Sequence, residues 1–521
     1  MPGHSGLPRS RFLNAELAAP ARPVVLAAAV LLTALTAPAL GARELSLPGE
    51  MGLQTQTVVL ELDDADIEVQ ILGVDEGPAR LVGRPAVATR DGQPVEARLG
   101  VEATADRFTL MRSGGSAERL RLELQLDPDQ ALEVRGRDLA VTVRDPSLPE
   151  PAGDRRRDRD AAPGPGGEKP APRAGADVAT GEGPPASYVF AVAASQVHLT
   201  GLDGLVVEAE GSWVGTEGTR GSGVVTANGS TVSVSEHGGP LDVLATDSEV
   251  SVDGIAGALQ ADLLGGSFNA TAGDQRMDLK ANEALVLVTG WRGGLSADLS
   301  ATTFELQGAA NPSQTALRAD ASRLVLSGLR GSGQVNLVGG SLEGSAIEGQ
   351  LRMEARSGGE VRIEGSRGRF DLVLSDVEAS LSDLSGRLNL EAHDSRTSLD
   401  GVEHLEATVA RGSLTSRGVA RLRRLEADSV DLDLDLSELS VDATLSLQGE
   451  SELEATLSTP CVVQVQGVSA LVGERVSVSG CDLRSPEQAA RSARNRARYG
   501  QRPRTLTVRI TSGVDLSVSG I

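Results

Sequence analysis

The sequence predicts an all-β fold, a β-solenoid (β-helix) of about 18-residue coils, and three observations carry that reading. The first is a recurring phrase of the form apolar-x-apolar-x-Gly, a polar turn, a second alternating strand and another turn. It reads Val250-Ser-Val252-Asp-Gly254, Val286-Leu-Val288-Thr-Gly290, Phe304-Glu-Leu306-Gln-Gly308, Leu324-Val-Leu326-Ser-Gly328 and Thr397-Ser-Leu399-Asp-Gly401. The second is its step: the marker falls at 254, 290, 308, 328, 365, 383, 401 and 418, always close to eighteen or its double. The third is composition. Aromatics make up only 2% of 521 residues while Gly reaches 61, so small aliphatics must fill a thin lumen. Period-2 alternation inside a short fixed repeat means stacked strands.

The coil 361–378 shows the grammar. Val361 and Ile363 point in while Arg362 and Glu364 point out, and Gly365-Ser-Arg-Gly368 turns. Phe370, Leu372 and Leu374 point in from the second strand. The next coil repeats this with Leu381, Leu388, Leu390 and Ala392. Gly or Asp at the marker permits the positive φ, or the side-chain-to-backbone bonding, of a sharp corner. Residues 232–436 would hold roughly eleven coils, a stack of about 50 Å at the strand spacing. Its open ends need capping.

Taken in order, residues 1–42 read as a signal peptide. Arg9, Arg11 and Arg22 precede an uncharged apolar run, and small residues around Ala37 to Gly41 offer a cleavage site. A retained anchor is the alternative, since 23–42 is long enough to span a bilayer. Residues 43–147 form a β-rich N-terminal region with strands such as Ile67-Glu-Val-Gln-Ile71 and Leu139-Ala-Val-Thr-Val143. Residues 148–186 lose every apolar period and mix Pro, Gly, Arg and Asp, the composition of a disordered linker or a looped-out excursion. Residues 187–460 are the solenoid.

Residues 461–521 are expected to be a disulfide-stapled C-terminal cap. Cys461 and Cys481 are the only cysteines and lie twenty residues apart, near one coil. One-coil separation suits disulfide geometry, and the bridge would contribute about 3 kcal/mol. A basic stretch of helix-forming composition follows. Arg491, Arg494, Arg496 and Arg498 stand there as a possible anionic-partner site, against the bland alternative of a solvated charge run.

These coils resemble the adhesin family of bacterial exported β-solenoids, described as autotransporter-adhesin head-like. The resemblance rests on the Val-x-Ile-x-Gly and Gly-x-Leu-x-Leu halves, clearest at 361–376. It implies a solenoid of the cell envelope without catalysis and brings no catalytic residues to carry over.

A formal net charge of −23 disfavours a nucleic-acid role. His198, His237, His393 and His404 fall at turns or outward positions without ligand spacing, so no metal is expected. Asp431, Asp433 and Asp435 share a strand face, but the coil before offers Ser413, Thr415 and Arg417, a poor calcium set. Arg417 should instead pair with Asp435. No cofactor motif is present and none is expected.

The reading is an exported, non-enzymatic β-solenoid that serves as a structural or adhesive module of the cell envelope or surface. Its place is extracytoplasmic: periplasm, outer surface or secreted. A cell-surface glycan, an envelope polymer or another envelope protein is the expected partner. The competing reading is a polysaccharide-active β-helix enzyme, a lyase or hydrolase. Such an enzyme would gather several carboxylates and an Arg in one groove across three or four adjacent coils.

Overall fold

The computed structural model describes residues 56–71, 130–144 and 188–458. It also describes the strands or short stretches at 43–45, 50–52, 80–84, 88–90, 93–95, 99–103, 107–112, 120–126, 461–467, 476–479, 481–484, 504–510 and 514–520. Alternation decides the architecture. Each coil lays one strand in a first sheet and one in a second, and every strand pairs in parallel with its counterpart one coil away. Leu241–Thr246 lies on Leu259–Leu264 in the first sheet, and Glu249–Asp253 lies on Ser267–Thr271 in the second. The regular run makes about 15 turns. Among the described residues there is no helix, and so none long and apolar enough to cross a membrane.

In-register stacking turns the alternation into columns. Val286, Phe304, Leu324, Leu342, Val361 and Ala379 stand above one another inside the second sheet. All are buried. The inward sets expected for the coils 361–378 and 379–396 are buried as well. One apolar side chain per coil at each position keeps the lumen narrow, which is why so few rings are needed.

Corners follow two rules. After the second-sheet strand, the marker takes positive φ at Gly254, Gly290, Gly308, Gly328, Gly365, Asp383, Gly401 and Gly418. The next residue then turns inward, as Ile255, Trp291, Leu329, Leu384 and Val402 do. Trp291 fits because Gly273 lies below it: a methyl on Gly273 would sit 2.0 Å from the indole ring. Its Nε1–H donates to Gln275 O at 3.0 Å.

The other corner carries a ladder of buried hydroxyls. The backbone N–H of Ser195 donates to Ser212 Oγ, that of Ser212 to Ser230 Oγ and that of Ser230 to Ser248 Oγ, each at 3.1 Å. Each hydroxyl passes its own hydrogen to a carbonyl two residues back, as Ser212 Oγ does to Glu210 O at 2.8 Å. The same device recurs singly at Ser322, Ser366, Ser395 and Ser451. A buried corner N–H with no partner would cost about 1–3 kcal/mol, so the ladder satisfies a donor the sheets cannot.

The ends depart from chain order. Strands Ala131–Arg137 and Ala140–Arg144 stack directly on Tyr188–Ala193 and Gln196–Thr200, so the coils flanking 148–186 are neighbours. The earlier coil, Thr57–Glu61 with Ala65–Ile71, lies beyond them, and 107–112 with 120–126 stacks outside that coil. Antiparallel strands Leu99–Ala103 and Arg80–Arg84 then add to the two sheets, and each carries one further antiparallel strand, Arg43–Leu45 on the first and Glu50–Gly52 on the second.

The C-terminal region mirrors this. The coil 504–520 does not form an outer cap. It lies between the coil 443–457 and the strands Cys461–Gly467 and Val476–Ser479. Stack order departs from chain order here because a sheet edge accepts any strand in register, whatever its place in the chain.

Candidate functional site

Outward columns of the first sheet form a groove of about 620 Å³ across the coils from Gln260 to Asn336. One column places Asp278, Ser296, Ala316 and Gln334 above one another. The small Ser296 and Ala316 side chains leave the depression. The neighbouring column reads Asp262, Lys280, Asp298 and Arg318. Its charges alternate at the strand spacing of about 4.8 Å. Among the described residues none of these four is within ion-pair distance of a partner. Asp278, by contrast, is held by Arg276 at 2.7 Å. The groove therefore offers two free carboxylates, an ammonium and a guanidinium to whatever lies along it, and no aromatic ring lines it.

Rings sit elsewhere. Trp213 is 43% exposed and lies across Gly215, stacked on His198 with ring centroids 6.4 Å apart. His237 is buried at a corner, not outward. Its Nε2 lies 3.1 Å from Pro240 O, which can only accept, so Nδ1 takes the Thr219 hydroxyl hydrogen at 2.6 Å. Burial pushes its pKa below the ordinary histidine value. His393 and His404 do not stack on each other; His404 stands between Arg387 and Arg421.

Asp431 and Asp433 stand opposite Ser413 and Thr415 on one side, as the sequence suggests, and opposite Glu452 and Glu454 on the other. Even so, among the described residues no group of three or more His, Cys, Asp or Glu is placed to hold a metal ion. The expected Arg417–Asp435 pair does not form. Asp435 Oδ1 instead accepts the Ser437 N–H at 3.0 Å, which draws it into its own turn.

The disulfide staple is not established. The parallel register of Cys461–Gly467 with Asp482–Arg484 sets Val462 opposite Asp482, which brings the two cysteine positions onto adjoining strands. The side chain of Cys461 lies outside the described residues, and the bridge remains an expectation. Arg491, Arg494, Arg496 and Arg498 also lie outside them. The hydroxyl ladder escaped the sequence reading, although Ser195, Ser212, Ser230 and Ser248 recur at the coil spacing.

No known protein family, no curated protein and no solved structure matches this chain. The likeness to bacterial adhesins rests on the repeat pattern alone.

Proposed function

We propose that this chain is an exported, non-enzymatic β-solenoid that acts as a structural and adhesive module of the cell envelope or surface. The single observation that supports it is the two-sheet stack bearing a groove in which the column Asp262, Lys280, Asp298 and Arg318 has no ion-pair partner among the described residues. A stiff array of repeated sites suits many weak contacts made together, because each bound site raises the effective concentration of the next. The leader-like 1–42 segment supports export. Fractionation of cells expressing the tagged protein tests the placement: a purely cytosolic pool of full-length protein overturns it. The mature chain should begin between Leu40 and Arg43, read by N-terminal sequencing.

One observation favours the competing reading. Asp262, Asp278 and Asp298 with Arg318 meet in one groove across adjacent coils, the arrangement asked of a polysaccharide-active enzyme. Release of reducing ends from a polysaccharide panel, abolished by Asp262→Asn or Asp298→Asn, would establish that activity. Glycan retention without such release would leave the adhesive reading standing.

A further inference from the structure

A second cleft, about 520 Å³, opens where the coils beginning at Gly386, His404 and Arg421 meet the turn at Val441 and Asp442. Register stacks Arg369, Arg387, His404 and Arg421 into one outward column, a basic run on an acidic chain. The register between 404–409 and 421–427 then slips by one residue, so that Leu405 faces Leu422 but Glu406 faces Arg424. This β-bulge leaves Arg423 and Arg424 both exposed on the same side, the kind of re-aiming that bulges provide.

The partners of these cations are unequal. Arg387 is satisfied by Glu406 at 2.6 Å and Asn389 at 2.8 Å, and Arg424 is paired with Glu426. Among the described residues, Arg421 donates only to His404 Nε2, at 2.8 Å. That nitrogen accepts because His404 Nδ1 is spent on Gly386 O at 3.1 Å. Arg423 reaches Glu406 only at 4.0 Å. Asp442 is engaged too, its Oδ1 accepting the Thr505 N–H at 2.9 Å. Among the described residues, Arg421 therefore faces the cleft with no carboxylate partner, and Arg423 has only the long contact to Glu406, which Arg387 already holds more closely. Beside them, Val441 is 42% exposed and supplies an apolar wall.

We propose that this cleft binds the uronate residues of an acidic glycan. Arg421 and Arg423 would take the carboxylate, since the guanidinium fork matches a planar oxyanion. The C–H face of the sugar ring would lie on Val441. The proposal deepens the adhesive reading by naming a ligand class, and it rests on that reading only for the choice of a glycan body. Because it is tested on purified protein, its failure is distinct from a failure of export.

Calorimetry on the full chain would compare a galacturonate trimer, the neutral maltotriose and inorganic phosphate at matched ionic strength. The trimer should bind, weaken as salt rises, and outcompete both other probes. The double variant Arg421→Gln/Arg423→Gln should lose at least tenfold in affinity, while Arg330→Gln, far along the stack, should not. Val441→Asp keeps both arginines but brings a carboxylate to the mouth, and should lose a similar amount. All these side chains are exposed, so a thermal melt should show each variant folded. No trimer binding, equal binding of maltotriose or phosphate, or full affinity in the double variant would each overturn the proposal.

Discussion

One outward column of the first sheet handles charge in two ways along its length. Between Asp262 and Arg318 the sign alternates from coil to coil and, among the described residues, no group has an ion-pair partner. Further on, the same column reads Glu354, Val373, Glu391, Thr408 and Glu426. There the charge has one sign, and uncharged residues separate the carboxylates. Each Glu is also matched within its own strand: Glu354 by Arg356, Glu391 by His393 at 3.1 Å and Glu426 by Arg424. Exposed pairs of this kind are worth about 0–1 kcal/mol, so the difference is too small to be a device of stability. It decides which charges remain available to a partner. The earlier stretch keeps its charges for something else, while in the later one Arg356 and Arg424 neutralise Glu354 and Glu426 where they stand and the His393 ring occupies Glu391.

If the halves differ only outside, their lumens should respond alike. Leu279→Ala and Leu372→Ala empty buried positions of one inward column, and each should cost about 2–5 kcal/mol in urea unfolding. A clear difference between the two would break the comparison at its base. Next comes the hydroxyl ladder, continuous in the earlier half and single-runged in the later. Ser230→Ala strands the Ser212 N–H and should cost about 1–3 kcal/mol. Ser395→Ala removes one rung, beneath Val377, and should cost no more than this.

A pH series separates the halves further, because His237 belongs to the earlier one. Its pKa is lowered on folding, since burial disfavours the charged ring. The unfolded chain therefore takes up a proton first. Stability is fully present above the ordinary histidine value of 6.5 and falls as pH drops from there through the folded pKa. His237→Gln should flatten that acid limb, and an unchanged limb would remove His237 from the account.

Smallest of all are the outer charges. Lys280→Glu puts three carboxylates on consecutive coils, and Thr408→Glu does the same between Glu391 and Glu426. Each should destabilise by less than about 1 kcal/mol, less still in high salt. Only Lys280→Glu should alter what the groove retains, measured as glycan pull-down.

Much of the fold was legible because both rules that build it are periodic. Alternation marked Val361, Ile363, Phe370, Leu372 and Leu374 as inward, and Gly or Asp marked many of the positive-φ corners, although Glu236, Ala272 and Ala346 make the same turn without either residue. What escaped was whatever the period hides. A serine in a corner looks like any polar turn residue until the stacked N–H below it is seen. His237 reads as one more turn residue between exposed neighbours, and its burial shows only in the packing. The Arg423 bulge is a single extra residue, invisible against a repeat whose steps already vary. The free charges of the groove depend on which side chains stand opposite in register, and that is a property of pairs of coils.

Simple repeat arrays lose their outermost unit first, because it has a neighbour on one side only. Here the coils 57–71 and 504–520 each have a neighbour on both sides. A load drawn through Asp515–Gly520 would meet two ladders in shear at once, one against Glu452–Leu457 and one against Val476–Ser479. Peeling breaks hydrogen bonds one after another, whereas shear strains them together. The chain is thus anchored inside its own stack, as a rope end is tucked beneath its outer turns.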